Sequence, residues 1–498
     1  MGLCVRAGPS VLEGGPPPSV VRRTKILATV GPAVSRPARL EALLRAGVDA
    51  FRLNFSHGSD EEHRATLRRL HAAGKRSGRE VAIVADVQGP KIRIGELTGG
   101  VVQLAAGQGW RLDRDPRPGD LRRVNAQIPS FGRAARAGDP VLLGDGNIEL
   151  EVLRAESSAI ETRVVRPGAV TSHQGIFLPR AHLRADVLGP KDRHDASLAL
   201  AGGVDFLALS FVRDRRDVLR ARRWLDGQPG GRGVGIIAKI ERAEALSAID
   251  GILEVADGVM VARGDLGIEV PLERLALEQK SLIRKSNAAG KFVIVATQML
   301  LSMLTAPRPT RAEATDVANA VLDGADAVML SEESAVGQYP VESVEWLARI
   351  AAATEPAFDP RPVRELRLGP TSAQSERSVA AAAVQLAESV GARALVTPTH
   401  TGRTALLVAA LRPTTPIVAL SRDAGTRRRL ALVRGVTAIS SPEHRDLSDL
   451  SRRAARLVLD LGVEGRGPIV LTAGYPVRGR PTNLVTVLDP ERTVRERE

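Results

Sequence analysis

Eight short apolar runs, each ending in a polar or charged cluster, constrain the fold of this chain more than any other feature. Helix-like stretches separate most of these runs. Continuous Val, Ile, Leu and Ala segments are typical of strands buried on both faces, as in a parallel sheet. Eight such strands that alternate with helices predict an α/β fold, a (β/α)8 TIM barrel.

Polar clusters follow the predicted strands at the end where a TIM barrel places its chemistry. The clearest are Arg52–His57, Lys239–Glu241 and Arg263–Asp265. Because the carboxyl ends of parallel strands meet at one face, this face collects guanidinium, ammonium and carboxylate groups. The sequence therefore predicts an enzyme that handles a phosphorylated anion together with a metal.

The length of 498 residues and the changes in composition predict several domains. Residues 1–21 are rich in Gly and Pro and predict a disordered extension. The barrel is expected over 22–87 and 188–356, and the inserted residues 88–187 predict a small β-barrel cap that acts as a lid. Residues 357–498 alternate helix and strand, which predicts an open α/β domain. We expect no internal repeat beyond the βα alternation.

Composition argues against several other classes of protein. The 70 basic and 57 acidic residues give a net charge of +13, but aromatics make up only 3% and no Lys/Arg-dense stripe is visible, so we expect no nucleic-acid partner. No apolar run approaches the roughly 18–20 residues that a membrane helix needs. Cys4 is the single cysteine, which excludes an intrachain disulfide and favours the cytoplasm.

The cluster around Lys239 predicts a metal and phosphate site. Glu241 and Asp265 offer hard oxygen ligands that suit Mg²⁺ or Mn²⁺. Lys239 lies two residues before Glu241, so on a strand both side chains point to the same side. Only eight of the basic residues are Lys, which adds weight to Lys239 and Lys91 near strand ends. The alternative is a structural ion pair inside the barrel; the neighbouring clusters favour the functional interpretation.

Several long motifs together resemble pyruvate kinase. They are KILATVGPA, RLNFSHG, KIE, MVARGDLG, ATQML and PRPTRAEATDVANAVLDGADAVMLSEESA. The resemblance runs from about Arg22 to the C-terminus. It implies the last step of glycolysis, phosphoenolpyruvate + ADP → pyruvate + ATP, with a divalent metal, in a homotetramer controlled by a phosphorylated effector. No P-loop is present, so the nucleotide would bind without one.

The resemblance implies a role for each matching residue. The catalytic residues would be Arg52, Lys239, Thr297 and Ser331. Glu241 and Asp265 would bind the metal. Substrate contacts would come from Arg52, Ser210, Lys239, Ala262, Arg263, Gly264, Asp265 and Thr297, with Glu333 close by. The nucleotide would lie against Thr29, Pro32, Asn54, His57 and Arg93. The effector would contact Thr399, Thr401, Gly402, Arg403, Thr404, Arg478 and Arg480.

One departure concerns a monovalent cation. Many family members bind K⁺ through residues equivalent to Asn54, Ser56, Asp86 and Val87, and they carry Glu where this chain has Lys91. Our hypothesis is that the Lys91 ammonium supplies the charge of that ion, so that K⁺ is not required. The alternative is that Lys91 is a solvated loop residue and K⁺ still binds.

Two further departures keep a second function open. The basic pair that the family carries in the cap reads His173–Gln174 here, and the usual LSGETA reads LSEESA, which places Glu332 beside Ser331. A catalytically weakened paralogue that binds phosphoenolpyruvate or an effector as a regulatory sensor is therefore the alternative. The presence of all the proposed catalytic residues argues for an active enzyme.

Overall fold

The computed structural model describes residues 22–128, 131–144, 146–179, 186–361, 363, 374–463, 465–474 and 481–495. The predicted extension over residues 1–21 lies outside the described residues. Among the helices that are described, none is long and apolar enough to cross a membrane.

The first part of the chain builds three strands and then an inserted β segment. The opening elements are β1 (Lys25–Thr29), α1 (Pro37–Ala46), β2 (Ala50–Asn54), α2 (Asp60–Ser77) and β3 (Ala82–Val87). The inserted segment holds β4 (Val101–Leu104), β5 (Gly109–Asp113), β6 (Arg123–Asn125), α3 (Phe131–Ala134), β7 (Pro140–Leu143), β8 (Ile148–Ala155), β9 (Ala159–Arg166), β10 (Gly168–Thr171) and β11 (Ile176–Phe177).

The chain then returns to βα alternation. The next elements are α4 (Pro190–Ala201), β12 (Phe206–Leu209), α5 (Arg215–Asp226), β13 (Gly235–Ile240), α6 (Ala243–Ser247), α7 (Ile249–Val255), β14 (Gly258–Ala262), α8 (Arg263–Glu269), α9 (Leu272–Ala289), β15 (Phe292–Ala296), α10 (Arg311–Leu322), β16 (Ala327–Leu330), α11 (Glu332–Ala335) and α12 (Pro340–Thr354). Short 3-10 turns occur at Pro32–Val34, Leu301–Leu304 and Glu355–Ala357.

The last part of the chain is a separate α/β layer structure. Its elements are α13 (Gln374–Ser389), β17 (Ala394–Pro398), α14 (Arg403–Ala410), β18 (Ile417–Ser421), α15 (Ala424–Leu430), β19 (Val436–Ser440), α16 (Leu447–Asp460), β20 (Ile469–Ala473), β21 (Leu484–Leu488) and α17 (Pro490–Arg495). The strands form one sheet in the order β19-β18-β17-β20-β21, and only β21 is antiparallel to its neighbour.

Eight parallel strands close into a barrel in the order β1-β16-β15-β14-β13-β12-β3-β2. Each predicted apolar run contributes one of these strands, so the TIM-barrel prediction is confirmed. Leu27, Phe206, Met260 and Phe292 fill the barrel interior, and a larger apolar cluster packs the strands against the surrounding helices. This burial on both faces explains why the runs are continuous rather than alternating.

The inserted segment leaves and re-enters the barrel at neighbouring strands, because β3 pairs with β12 through Val87 and Leu209. It forms a six-stranded sheet in the order β11-β7-β8-β9-β5-β6 and a two-stranded sheet, β10-β4. The segment has its own core, which includes Trp110, Phe131 and Leu150. It begins next to the carboxyl end of β3 and thus stands beside the face that carries the polar clusters.

Four aspartates recur at the opposite end of the barrel, at intervals too irregular to form a sequence repeat. An Asp precedes every second strand and accepts the backbone N–H of a residue on the preceding strand at 2.7–3.0 Å. Its own N–H donates to the carbonyl of that same residue. The four pairs are Asp49 with Ile26, Asp205 with Ile83, Asp257 with Ile236, and Asp326 with Val293.

Arginines of the C-terminal sheet region bind two of these aspartates. Arg412 donates to both carboxylate oxygens of Asp326 at 2.8 and 2.6 Å, and both side chains are 2% exposed. Arg428 on α15 donates to Asp205 at 2.8 Å. The C-terminal region therefore packs on the amino ends of the barrel strands, away from the polar clusters.

Candidate active site

A cleft of about 1460 Å³ opens at the carboxyl ends of the barrel strands. Most of the residues predicted for catalysis, metal and nucleotide line it together. These are Thr29, Pro32, Arg52, Asn54, His57, Asp86, Lys239, Glu241, Ala262, Asp265, Thr297 and Ser331. The strands thus bring together side chains that lie as far apart in the sequence as residues 29 and 331.

Alternating charges form the floor of the cleft. Arg52 Nε lies 2.6 Å from Asp86 Oδ2, and Lys239 Nζ lies 3.2 Å from Asp86 Oδ1. Lys239 Nζ also lies 2.9 Å from Glu241 Oε1. One buried carboxylate thus orients both predicted phosphoryl-binding cations. From the sequence, Asp86 was expected only in the monovalent-cation group.

The electrostatics of this floor keep Asp86 and Lys239 charged. Burial alone would raise the pKa of Asp86, but Lys239 and Arg52 outweigh burial and hold that pKa below its ordinary value. Burial alone would lower the pKa of Lys239, yet Asp86 and Glu241 raise it. Lys239 is therefore an ammonium at neutral pH and serves as a fixed positive charge rather than a proton carrier.

Ser210 ties this floor to the neighbouring strands. It follows β12, its hydroxyl accepts from Lys239 Nζ at 2.7 Å and donates to the Val87 carbonyl at 2.7 Å. The next residue, Phe211, has a φ of +58° and donates its N–H to Glu241 Oε2 at 2.8 Å. The Glu241 carboxylate and the Lys239 ammonium thus have fixed orientations before any ligand binds.

Glu241 and Asp265 fit the requirements of a small divalent cation. Glu241 follows β13, and Asp265 lies in the first turn of α8, which follows the neighbouring strand β14. Burial, reinforced by repulsion from Asp265, raises the pKa of Glu241. A cation between them would relieve that repulsion. No group of three or more metal-ligating side chains occurs within the described ranges. Two carboxylates that leave the other positions to substrate and water are typical of Mg²⁺.

Lys91 approaches the metal-ligand pair rather than the predicted potassium group. Its Nζ lies 3.1 Å from Asp265 Oδ1 and 5.2 Å from the centroid of the Phe177 ring in the inserted segment. Asn54 Oδ1 instead accepts from the Ser56 N–H at 3.1 Å, and Asp86 binds Arg52 and Lys239. The Lys91 charge therefore acts at Asp265, at the junction of barrel and insert.

Thr297 follows β15 in a strained backbone conformation, with a φ of +73°. Its hydroxyl accepts from the Gly264 N–H at 2.8 Å and donates to the Ala296 carbonyl at 2.5 Å. Gly264 belongs to α8, which starts directly at Arg263. α8 and α9 are separate helices, because Pro271 cannot supply the backbone N–H that would continue α8.

Ser331 directly follows β16, the last strand of the barrel. Its Oγ is buried and makes no hydrogen bond with the described residues, whereas its N–H donates to Glu333 Oε2 at 2.7 Å. Glu333 is 1% exposed and also accepts from the Leu300 N–H at 3.1 Å. Glu332 is exposed at the cleft edge, so the extra carboxylate faces solvent.

The predicted nucleotide residues are split between barrel and insert. Thr29 donates to the Leu330 carbonyl at 2.9 Å and accepts from Arg52 at 3.1 Å. Burial, together with Arg93 and Arg52, lowers the pKa of His57, so this imidazole is neutral. Arg93 donates to the His173 carbonyl at 3.0 Å. Gln174 turns inward within the insert and accepts from the Thr171 N–H at 3.2 Å.

One wall of the cleft is formed by α2, and the sequence did not predict it. Glu62, Thr66 and Arg69 line this wall. The signal was present, because Ser59 and Glu62 form a capping box that fixes the start of α2. Positions four and seven residues after Glu62 then lie on the same helix face.

The predicted effector loop forms a tight turn before α14. The Gly402 N–H donates to Thr399 Oγ1 at 3.0 Å, and the Thr404 and Thr482 hydroxyls lie 2.7 Å apart. Thr401 and Arg403 face a second cavity, of about 1130 Å³, between the C-terminal region and the amino ends of the barrel strands. Arg478 and Arg480 lie outside the described residues.

A TIM barrel whose cleft holds paired cations, two carboxylates and a nucleotide-sized space defines a phosphotransferase. Comparison with known proteins supports this class of enzyme. The sequence profile of the pyruvate kinase barrel domain matches residues 21–344, and that of the pyruvate kinase alpha/beta domain matches 377–488. The chain therefore belongs to the pyruvate kinase family.

Individual relatives support this assignment along most of the chain. A pyruvate kinase of Agrobacterium vitis is 43% identical over 467 residues, which cover 93% of this chain and 98% of that protein. One of Bacillus licheniformis is 39% identical over 470 residues, which cover 94% and 80%. The crystal structure of a pyruvate kinase from Cryptosporidium parvum superposes with a TM-score of 0.88 at 35% identity, covering 94% of this chain and 96% of that chain.

Proposed function

We propose that this enzyme transfers the phosphoryl group of phosphoenolpyruvate to ADP and releases pyruvate and ATP. The observation that carries the proposal is the pair Arg52 and Lys239, both held by Asp86 beside Glu241 and Asp265. Phosphoryl transfer needs the anion held, its charge neutralised and the oxygens aligned. The cleft offers each of these, so the regulatory paralogue is not favoured.

Each group of the cleft has a defined task in this proposal. Arg52 and Lys239 hold the phosphoryl oxygens, with Ser210 nearby. Backbone N–H groups at the start of α8 and the Thr297 hydroxyl orient the carboxylate of the substrate. Glu241 and Asp265 would hold Mg²⁺ or Mn²⁺, which when bound neutralises charge on substrate oxygens. Because these groups are fixed before binding, little reorganisation opposes the transfer.

Protonation of the enolate is assigned to the Thr297 and Ser331 side of the cleft. The unpartnered, buried Ser331 hydroxyl is available to a water or substrate oxygen. Lys239 is unsuited to this task because its pKa is raised and it retains its proton. We therefore assign proton delivery to water held by these hydroxyls, and the nucleotide to Thr29, Pro32, Asn54, His57 and Arg93 with the inserted segment closing over it.

We further propose that the enzyme needs no K⁺. A positive charge at Lys91, 3.1 Å from Asp265, is already present at the metal side of the site. Pyruvate formation is measured with Mg²⁺ in potassium-free Tris buffer, and then with K⁺ added. We expect full activity in both, and loss of activity when EDTA removes the divalent metal.

Lys91→Glu is the informative variant in this assay. It should create a dependence on K⁺, whereas the exposed Lys75→Glu should not. Activity of the wild-type enzyme only in the presence of K⁺ would contradict the role of Lys91 but not the phosphotransferase activity. A wild type that binds phosphoenolpyruvate but forms no pyruvate under either condition would favour the regulatory paralogue.

A phosphorylated effector is proposed for the cavity at the base of the barrel. Lys291 and Arg377 line it with Arg403, and within the described part of the chain no ion pair joins Lys291 or Arg377 to a carboxylate. Burial, together with repulsion from neighbouring arginines, lowers the pKa of both groups. An anion would relieve this repulsion. Arg377→Gln should weaken activation by fructose bisphosphate or a nucleotide and leave the basal kcat unchanged.

We also propose a task for each part of the chain. We assign residues 88–187 to a lid, 357–498 to a regulatory domain, and 22–87 with 188–356 to the catalytic barrel. Exposed Leu272 and Leu277, at 73% and 62%, offer apolar surface for assembly into a homotetramer. A lone cysteine supports a cytoplasmic location.

A further inference from the structure

The segment after β15 holds two neighbouring residues in a backbone conformation that side chains disfavour. Thr297 and Gln298 have φ values of +73° and +54°. They are the only adjacent non-glycine pair with positive φ among the described residues. Thr is β-branched, and the left-handed region is costly for every L-residue. Such strain persists only where surrounding contacts hold it in place.

The guanidinium of Arg263 supplies these contacts. Its Nη2 donates to the Thr297 carbonyl at 2.7 Å, and its Nε donates to the Ala296 carbonyl at 3.3 Å. Nη2 also lies 2.9 Å from the sulfur of Met299. One planar group therefore spans the strained peptide and both of its flanks. The side chain is 11% exposed, so water offers little competition.

Asp316 fixes the orientation of this guanidinium. Both of its carboxylate oxygens lie 2.7 Å from Arg263 Nη1, and Gln279 on α9 accepts from the same nitrogen at 3.4 Å. Asp316 belongs to α10 and does not line the cleft, whereas Thr297 does. The route that the structure shows from Asp316 to the cleft therefore passes through Arg263 and the strained segment.

We propose that Asp316, through the side chain of Arg263, is a positioning residue that holds Thr297 in its left-handed conformation. This conformation directs the Thr297 hydroxyl to the Gly264 N–H and thereby to the substrate side of α8. The inference rests on the proposed function only for the task given to Thr297. The conformational claim stands on the geometry of residues 296–299.

The central test pairs a disruptive variant with one that relieves strain. Asp316→Asn should lower kcat roughly tenfold and leave the KM for ADP unchanged, because misplacement affects the reacting groups. Gln298 is exposed, and glycine adopts positive φ at no steric cost. Gln298→Gly should therefore restore most of the lost kcat in the Asp316→Asn background and change the wild type less than twofold.

Backbone hydrogen exchange in the substrate-free protein provides a readout independent of activity. Asp316→Asn should speed exchange at the amides of residues 299 and 300, and Gln298→Gly should slow it again. Asp316→Glu keeps the charge and should resemble the wild type. Size-exclusion chromatography must show the same assembly for every variant, so that a changed interface is not mistaken for a displaced threonine.

The outcomes separate this inference from the proposed function. A kcat within twofold of the wild type for Asp316→Asn, or a loss that Gln298→Gly leaves unchanged in both kcat and exchange, would overturn the positioning role. A wild type that forms no pyruvate would overturn the proposed function alone. In that case the exchange experiment still decides whether Asp316 holds the segment.

Discussion

At the scale of single residues, the proposed catalytic role of Lys239 depends on its charge, which also orders the cleft. Lys239→Met should lower kcat by about 10²–10³-fold, because a preorganised cation at the transferring oxygens is lost. Steady-state pyruvate formation measures this. Lys239→Arg is the control that keeps the charge while losing the compact ammonium. Unchanged turnover in Lys239→Met would remove Lys239 from the mechanism.

As a proposed metal ligand, Glu241 should make metal binding dependent on pH. Burial, reinforced by the nearby Asp265 carboxylate, raises the pKa of Glu241, and a metal binds only the deprotonated group. Affinity for Mn²⁺ should therefore weaken as pH falls through this raised pKa. Electron paramagnetic resonance of free Mn²⁺, across the pH range in which the protein stays folded, measures it. An affinity in the wild type that is independent of pH over this range would contradict the prediction.

The same shift affects stability in the metal-free protein. A folded-state pKa above the unfolded value means that the folded protein binds the proton more tightly than the unfolded chain does. The stability that proton binding at Glu241 contributes is therefore lost as pH rises through the folded-state pKa. In EDTA, Glu241→Gln should therefore raise Tm more at pH values above the raised pKa of Glu241 than at pH values below it. A change in Tm that is equal across the whole pH range would show that Glu241 does not titrate as described.

The sequence predicted the candidate site residues that lie on or directly after strands, but not the side chains that they contact. The alternation of side chains along β13 sufficed to place Lys239 and Glu241 together. The partner of Lys91 was not predictable, because it depends on how the loop after β3 packs against α8 and Phe177. The role of Asp86 was also incomplete, since two cations from different strands converge on it only in the closed barrel.

At the scale of elements, the repeated aspartates join the barrel strands in pairs. Asp326→Asn removes the carboxylate that the buried Arg412 binds through two nitrogens and should lower the free energy of unfolding by about 3–5 kcal/mol. Asp257 occupies the same place in another strand pair, but its side chain is 47% exposed, and the loss in Asp257→Asn should be about 1 kcal/mol or less. Urea unfolding of both variants, followed by circular dichroism, compares them. Equal losses would contradict the role of burial.

The recurring aspartates escaped sequence reasoning although the strands did not. Each Asp is a single residue shortly before a strand. The intervals between successive aspartates differ, because the helices differ in length and the insert lies between two of the strands. Only pairing in the barrel shows that each carboxylate binds the strand before it. The strands themselves were predictable because burial on both faces leaves an uninterrupted apolar signature.

At the scale of the whole molecule, Lys91 connects the inserted segment to the barrel. Lys91→Met removes its ion pair with Asp265 and its contact with Phe177, which together are worth about 1 kcal/mol. Amide hydrogen exchange over residues 174–178 should therefore become several times faster. Lys285→Met removes an exposed ion pair with Asp250 and is the matched control. Unchanged exchange in Lys91→Met would place the connection elsewhere.

The recurring aspartates divide the barrel into four quarters, each made of two consecutive strands closed by one carboxylate. A break in the chain between quarters severs none of these closures, whereas a break within a quarter separates an Asp from the strand it serves. Circular permutants of this enzyme should therefore tolerate new termini after β2, β12 or β14 better than after β1, β13 or β15. The insert interrupts a quarter, and Asp205 with Ile83 keeps that quarter closed.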